Sequence, residues 1–264
     1  MLTHFSLFSG IGGLDLAAEW AGFTTVGQCE IDDYATRVLE KHWPDVPRWR
    51  DIYDLRADDI FERTGLEKIT ALSGGFPCQP HSHSGRRKAS LDERDLWPEY
   101  RRIIRELRPR WIVAENVRGL LSSENGRFFG GVLRDLAGLG YDAGWCLYKA
   151  ADVGAFHHRA RAFVVSHAHG KRRDELENVK EIGPSDFFTE AFGEEWSRSL
   201  DIPMDFAGYV ASASGGQERN DDGLPVGVDR LRCIGNAVVP QQAYPVFKAI
   251  AEIEMALERS KGNE

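Results

Sequence analysis

Ser9-Gly10-Ile11-Gly12-Gly13 constrains the fold of this 264-residue chain more than any other stretch. It follows a short apolar run at Phe5 to Phe8 that reads as a strand, and it precedes Leu14 to Trp20, whose apolar residues recur at helical spacing. Strand, glycine turn, helix is the opening of an α/β fold, and it lets a backbone come close to a bound cofactor. The spacing Gly-x-Gly-Gly is not the Gly-x-Gly-x-x-Gly of dinucleotide folds, which disfavours NAD. The pattern then repeats. Thr24 to Cys29 reads as a second strand, ending in Glu30-Ile31-Asp32-Asp33 before a helix to about His42. An acid at that strand end can accept hydrogen bonds from both hydroxyls of a ribose. It can equally cap the helix, a role that Asp32 or Asp33 would fill as well.

A third run, Ile69 to Ser73, leads into Gly74-Gly75-Phe76-Pro77-Cys78-Gln79-Pro80. The cysteine is thereby expected on a loop at a strand's carboxyl end, the edge of an open sheet where ligands bind. Pro77 and Pro80 fix their own backbone angles and bias the residues before them toward extended conformations, so the thiol has few directions in which to point. The plain alternative is a buried structural cysteine. Beyond it, Gln79 to Lys88 is polar, basic and glycine-containing, suited to touching phosphates. Cys78, His81 and His83 have no partner set at ligand spacing, so zinc is the weaker reading.

Asp95 to Leu107 places Leu96, Trp97, Tyr100, Ile103, Ile104 and Leu107 on one helical face and arginines on the other. The arginines are either a nucleic-acid patch or a solvated surface. Trp111 to Ala114 reads as a buried strand that delivers Glu115-Asn116-Val117 to the edge where Cys78 sits. Burial there would raise the Glu115 pKa and let it donate a proton near neutrality; otherwise it is a structural acid. A helix over Gly126 to Leu139 and strands at Tyr141 to Lys149 and Phe163 to Val165 follow. Arg159 and Arg161 alternate, so an extended backbone projects both to one side. His167 to about Asp229 shows no clear period, and Val246, Phe247, Ile250, Ile253 and Leu257 mark a final helix.

Composition narrows the function classes. The four cysteines are widely separated, which argues against a disulfide framework or a four-thiolate zinc site and fits a reducing compartment. No run approaches the roughly 18 apolar residues of a membrane span, and the start lacks a leader pattern, so a soluble, cytoplasmic protein is expected. The net charge of -8 argues mildly against nucleic-acid binding, but basic clusters at Arg86-Arg87-Lys88 and along residues 101–110 can make a positive cleft on an acidic protein.

Gly75-Phe76-Pro77-Cys78-Gln79-Pro80 resembles the catalytic loop of the DNA (cytosine-5) methyltransferases. Other segments resemble that family's motifs in order, over about residues 3 to 166 and 230 to 258. The resemblance implies a Rossmann-like α/β sheet with helices on both faces and a small irregular target-recognition domain. The expected division is a catalytic and cofactor-binding domain at 1–166, target recognition at 167–229, and a C-terminal segment at 230–264 that returns to the catalytic domain. The cofactor implied is S-adenosylmethionine, leaving as S-adenosylhomocysteine, with no metal. Its implied contacts are Phe8, Gly10, Ile11, Gly12, Gly13, Glu30, Ile31, Asp51, Ile52, Gly75, Pro77, Leu96, Asn236 and Ala237.

By the same resemblance Cys78 adds to carbon 6 of a flipped cytosine, Glu115 protonates ring nitrogen 3, Arg161 reaches the cytosine oxygen and Arg159 supports the loop. Gln79, Ser82, Ser84, Arg86 and Arg87 would touch DNA. The implied partner is double-stranded DNA, with the protein a monomer, no membrane, and room for a cognate restriction endonuclease. Two positions depart from the family: Ser6 stands where many members carry Asp, and His157 replaces Gln in Gln-x-Arg-x-Arg. Three other readings compete: a tRNA cytosine methyltransferase, a non-enzymatic DNA-binding relative, and a nucleotide-level pyrimidine methylase.

Overall fold

The structure is a computed structural model and describes residues 1–77, 95–153, 159–168 and 237–261. Its seven strands are β1 (Leu2–Leu7), β2 (Phe23–Cys29), β3 (Arg48–Trp49), β4 (Ala71–Gly75), β5 (Trp111–Val117), β6 (Tyr141–Lys149) and β7 (Ala160–Ala168). They form one sheet in the order β3-β2-β1-β4-β5-β7-β6. The first five are parallel, whereas β7 runs antiparallel to both β5 and β6. The order reverses between β1 and β4, and the crevice outside the strand ends opens there.

Helices cover both faces, as the resemblance implies. On one face α3 (Ala57–Thr64), α4 (Trp97–Leu107) and α5 (Arg127–Gly138) bury Ile60, Tyr100, Ile103, Val132 and Leu136 against Phe5, Leu7, Leu72 and Ile112. On the other, α1 (Gly13–Trp20) and the C-terminal helix, α6 (Pro240–Lys261), bury Leu14, Ala17, Phe247 and Ile250 against Ala71, Trp111, Val113 and Phe163. Neighbouring residues of one strand thus feed opposite cores, which is why these strands read as continuous apolar runs instead of alternating ones. Among the described residues no helix is long and apolar enough to cross a membrane.

The expected strands and α-helices lie within a few residues of those observed, with two omissions. Neither β3 nor α3 was anticipated from the sequence. Two residues are too few to display a period, and only Ala57 and Ile60 of α3 are buried. The arginines of α4 serve the fold. Arg101 pairs with Asp135, and Arg102 pairs with Glu99 and Glu106 while donating to the Ile52 and Leu55 carbonyls. The final helix is anchored similarly: the buried Glu254 takes both the Arg110 guanidinium and the Trp111 indole N–H. Of the expected target-recognition segment 167–229, His167 and Ala168 complete β7, and residues 169–229 lie outside the described residues.

Candidate active site

The glycine turn after β1 is bent by left-handed backbone at Phe8 (φ 51°), Gly10 (φ 56°) and Gly12 (φ 87°). Gly10 suits this because a side chain there would be strained, and the space a Cβ would take is open. That space belongs to a cavity of about 310 Å³ at the carboxyl ends of β1, β2, β4 and β5. Phe8, Gly10, Ile11, Gly13, Glu30, Ile31, Asp51, Ile52, Gly75, Pro77, Leu96 and Ala237 all line it, so twelve positions expected at one cofactor meet in one place. Gly12 is not among the lining residues. It precedes α1, and a Cβ there would run into the Trp43 ring. Gly13 is needed twice: it lines the cavity, and a Cβ would lie 2.4 Å from the Val238 carbonyl oxygen.

Glu30 is held as an acceptor. Its Oε2 takes the Gly10 N–H at 2.6 Å and its Oε1 takes the Asp32 N–H at 2.8 Å. Burial raises its pKa, and those two backbone bonds oppose the rise. Each carboxylate oxygen can accept more than one bond, so the group can still receive two hydroxyls. Helix capping falls to the neighbour: Asp32 Oδ1 accepts from the Tyr34 and Ala35 N–H groups ahead of α2 (Asp33–His42). The Arg50 guanidinium lies on the cavity wall and ties this corner together through the Ile31 carbonyl, Asp33 and Thr36.

Glu115 stands on the opposite wall. The register pairs Gly75 with Glu115 across β4 and β5, and Val117 with Arg161 across β5 and β7. Arg161 therefore reaches diagonally to Glu115, a span open to long side chains on one sheet face. The Arg161 Nε lies 2.6 Å from Glu115 Oε1, with both residues buried. Burial pushes the Glu115 carboxyl up to about 7, against the opposing pull of Arg161 and Arg159. Arg159 itself is pushed down to about 10 by burial and by the neighbouring Arg161. Gly75 is required by closeness, since a Cβ there would sit 2.8 Å from Glu115 Oε2.

Two positioning residues were missed in the sequence. Asn116 Nδ2 donates to the Phe76 carbonyl at 2.9 Å, fixing the chain two residues before Cys78. Gln242, fully buried on α6, donates to the Tyr148 carbonyl at 2.9 Å and the Arg159 carbonyl at 3.0 Å. It holds the start of β7, where Arg159 precedes the strand and Arg161 lies within it. Asn116 lies inside a motif already singled out, but Gln242 follows a proline in a helix start and offers no comparable signal.

Cys78, Gln79, His81, Ser82, His83, Ser84, Arg86, Arg87, His157 and Asn236 lie outside the described residues. Burial pushes the thiols of Cys29 and Cys146 up to about 12, so neither is a thiolate near neutrality. Among the described residues no group of three or more His, Cys, Asp or Glu could hold a metal ion.

Residues 2–193 match the sequence model of a family described as C-5 cytosine-specific DNA methylase. The match runs past residue 166 into the segment where no motif was recognised. The Type II methyltransferase M.NgoMIV of Neisseria gonorrhoeae is 38% identical over 165 residues, which is 62% of this chain and 51% of that protein. M.Sau96I of Staphylococcus aureus is 33% identical over 180 residues, 67% of this chain and 40% of that protein. The chain thus spans about half the length, or less, of these curated relatives. Among solved structures, the S. pombe Dnmt2 methyltransferase superposes with a TM-score of 0.61 at 16% identity, covering 96% of this chain and 99% of that one. The methyltransferase EhMeth of Entamoeba histolytica gives 0.63 at 16%, covering 96% and 98%. At such identity these two likenesses speak to the fold.

Proposed function

Since the chain belongs to the C-5 cytosine-specific DNA methylase family, we propose that it methylates carbon 5 of cytosine in double-stranded DNA, with S-adenosylmethionine as donor. One observation supports this most: a buried carboxyl with a near-neutral pKa is paired to a guanidinium on the wall of a nucleoside-sized cavity, beside the glycine that leads to Cys78. The cavity suits the donor. It offers a glycine cradle, the Glu30 acceptor for a ribose and apolar walls from Phe8, Ile11, Leu14 and Ile52. When bound, S-adenosylmethionine supplies a methyl group on a sulfonium and leaves as S-adenosylhomocysteine.

Carbon 5 of cytosine is a poor nucleophile until a group adds at carbon 6. The Cys78 thiolate forms that carbon–sulfur bond, and the ring electrons move toward nitrogen 3, where the Glu115 carboxyl gives its proton. A carboxyl that loses its proton near pH 7 suits this transfer, because catalytic acids work best near the operating pH. Arg161 balances the resulting carboxylate and holds the cytosine oxygen. Carbon 5, now an enamine carbon, takes the methyl. Loss of the carbon 5 proton to a base expels the thiolate, and Glu115 recovers its proton as the ring regains aromaticity. The target carbon lies inside the base stack, so the base must be everted, at a cost of a few kcal/mol.

Gln79, Ser82, Ser84, Arg86 and Arg87, which lie outside the described residues, would then supply loop and phosphate contacts, and residues 167–229 the base-edge readout. The test is incubation with duplex DNA and methyl-labelled donor, with Cys78→Ser alongside. Label in cytosine that Cys78→Ser abolishes is the expected outcome. Label entering tRNA and not DNA would sink the DNA reading, and full activity of Cys78→Ser would sink the covalent step.

A further inference from the structure

Asp15 is fully buried in the first turn of α1, a helix preceded by Gly12, which has no side chain to cap with. Its Oδ1 ties the helix to two strands. It accepts the Ser6 hydroxyl of β1 at 2.8 Å and the Gln28 amide of β2 at 3.1 Å, and the His4 Nδ1 of β1 stands 4.0 Å away. Ser6 Oγ in turn lies 2.6 Å from Ser9 Oγ, and Ser9 is on the wall of the donor cavity. With the Ser6 proton committed to Asp15, the nearest acceptor for the Ser9 hydroxyl is Ser6 Oγ, the Ser6 and Cys29 carbonyls lying farther off at 3.2 and 3.4 Å, so one directed chain runs from the cavity wall to the buried carboxyl. Asp15 Oδ2 and His4 Nδ1 are both buried without a hydrogen-bond partner.

The turn that this chain braces is bent by left-handed backbone at Phe8, a non-glycine residue. Such a conformation persists only where its surroundings over-determine it. The three glycine-turn hydrogen bonds do part of that: Ser9 N–H to the Cys29 carbonyl at 3.1 Å, Gly12 N–H to the Ser9 carbonyl at 2.9 Å, and Gly10 N–H to Glu30. The Asp15–Ser6–Ser9 chain grips the same turn from beneath.

We propose that Asp15 is a positioning residue for the methyl donor: acting through Ser6 and Ser9, its carboxylate holds the glycine turn in the shape in which the cavity takes S-adenosylmethionine. This rests on the donor reading of the cavity. A hydrogen bond to an ionised acceptor is stronger than one to a neutral acceptor, so the brace is tightest when Asp15 is charged. Burial pushes the carboxyl up to about 7, with Ser6 and Gln28 opposing and Glu19 adding to the rise. The charged or titratable groups around it are His4 on β1, Glu19 one turn along α1 and Arg48 on β3, which donates to Gln28 Oε1 at 3.0 Å. From β4 comes the Ser73 hydroxyl, 2.7 Å from His4 Nε2, and from α6 the Phe247 ring, edge-on to His4.

Calorimetric titration of the full chain with S-adenosylmethionine at pH 6, 7 and 8 tests this, with thermal melts to confirm that each variant is folded. Wild type should bind more weakly as the pH falls from 8 to 6. Asp15→Asn, which keeps the shape without the charge, should bind at every pH about as weakly as wild type at pH 6. Ser6→Ala, which cuts the chain and leaves Asp15 in place, should bind about tenfold more weakly at pH 8. Glu115→Gln, on the cavity's other wall, should keep the pH dependence. Folded Asp15→Asn and Ser6→Ala proteins with wild-type affinity at all three pH values would overturn the inference, as would a pH dependence lost in Glu115→Gln instead. A wild type that binds no donor at pH 8 would overturn the donor reading itself.

Discussion

Glu30 and Glu115 are the same residue type at the ends of two strands of one sheet, both on the wall of one cavity, and burial raises the pKa of each. Their partners differ. Glu30, after the parallel strand β2, is held by two backbone N–H groups; Glu115, where the sheet turns antiparallel, faces a guanidinium 2.6 Å away. Backbone donors cannot move away when a proton arrives, so they fix a carboxylate as a permanent acceptor. A guanidinium on a side chain can shift its attention between the carboxyl and a substrate oxygen, leaving the acid free to exchange its proton. The antiparallel β7 is what makes the second arrangement available, because it brings Arg161 within diagonal reach of β5.

The sharpest way to break this comparison is to neutralise each acid in turn. Glu115→Gln should lower kcat by about 10²- to 10⁴-fold, the usual worth of a general acid, while donor affinity stays near wild type. Glu30→Gln should do the reverse. An amide can accept only one of the two N–H groups that Glu30 satisfies, so the variant should bind S-adenosylmethionine about 10- to 100-fold more weakly with kcat at saturating donor little changed. Single-turnover rates and donor titrations on both variants separate the two. A Glu115→Gln protein that loses donor affinity and keeps its rate would show that the roles have been assigned the wrong way round.

The same contrast marks how far the sequence could be read. Strand ends were legible because short apolar runs stop at glycines and acids, whereas the twelve cavity residues expected at one cofactor came from the family resemblance of the motifs at those ends. Asn116 and Gln242 were not legible, because their partners lie 40 and 83 residues away and an amide carries no periodicity. The arginines of α4 looked like a surface patch because their acids sit on other elements or one turn along. Asp15 was passed over as one residue of an apolar helix; an acid between Leu14 and Leu16 was the available signal.

Glycines on the two sides sharpen the comparison further. At Gly75 an added Cβ meets the end of the Glu115 side chain, which can swing, whereas at Gly13 it meets the Val238 backbone, which cannot. Gly13→Ala should therefore cost roughly 1–3 kcal/mol of stability, as overpacking typically does, by forcing the segment before α6 away from α1. Gly75→Ala should melt near wild type and lose activity by displacing the carboxyl. Thermal melts set beside single-turnover rates check both, and a Gly75→Ala protein as unstable as Gly13→Ala would erase the distinction.

The smallest effect concerns the buried pair beneath the donor side. Burial pushes His4 down to about 3, from an ordinary value near 6.5, so between those values the unfolded chain binds a proton that the folded one does not. Stability from this group falls on acidification below about pH 6.5. Asp15 works in the opposite sense: raised to about 7, it binds a proton when folded that it would have lost when unfolded, so its contribution falls as the pH rises from about 4 to 7. The two slopes oppose each other in the wild type. Asp15→Asn leaves the His4 slope unopposed and should lose about 2 kcal/mol relative to wild type between pH 7 and pH 5; His4→Gln should gain a similar amount over the same interval. Urea unfolding of the three proteins across that range measures the difference directly, and parallel curves would mean that neither group changes its proton affinity on folding.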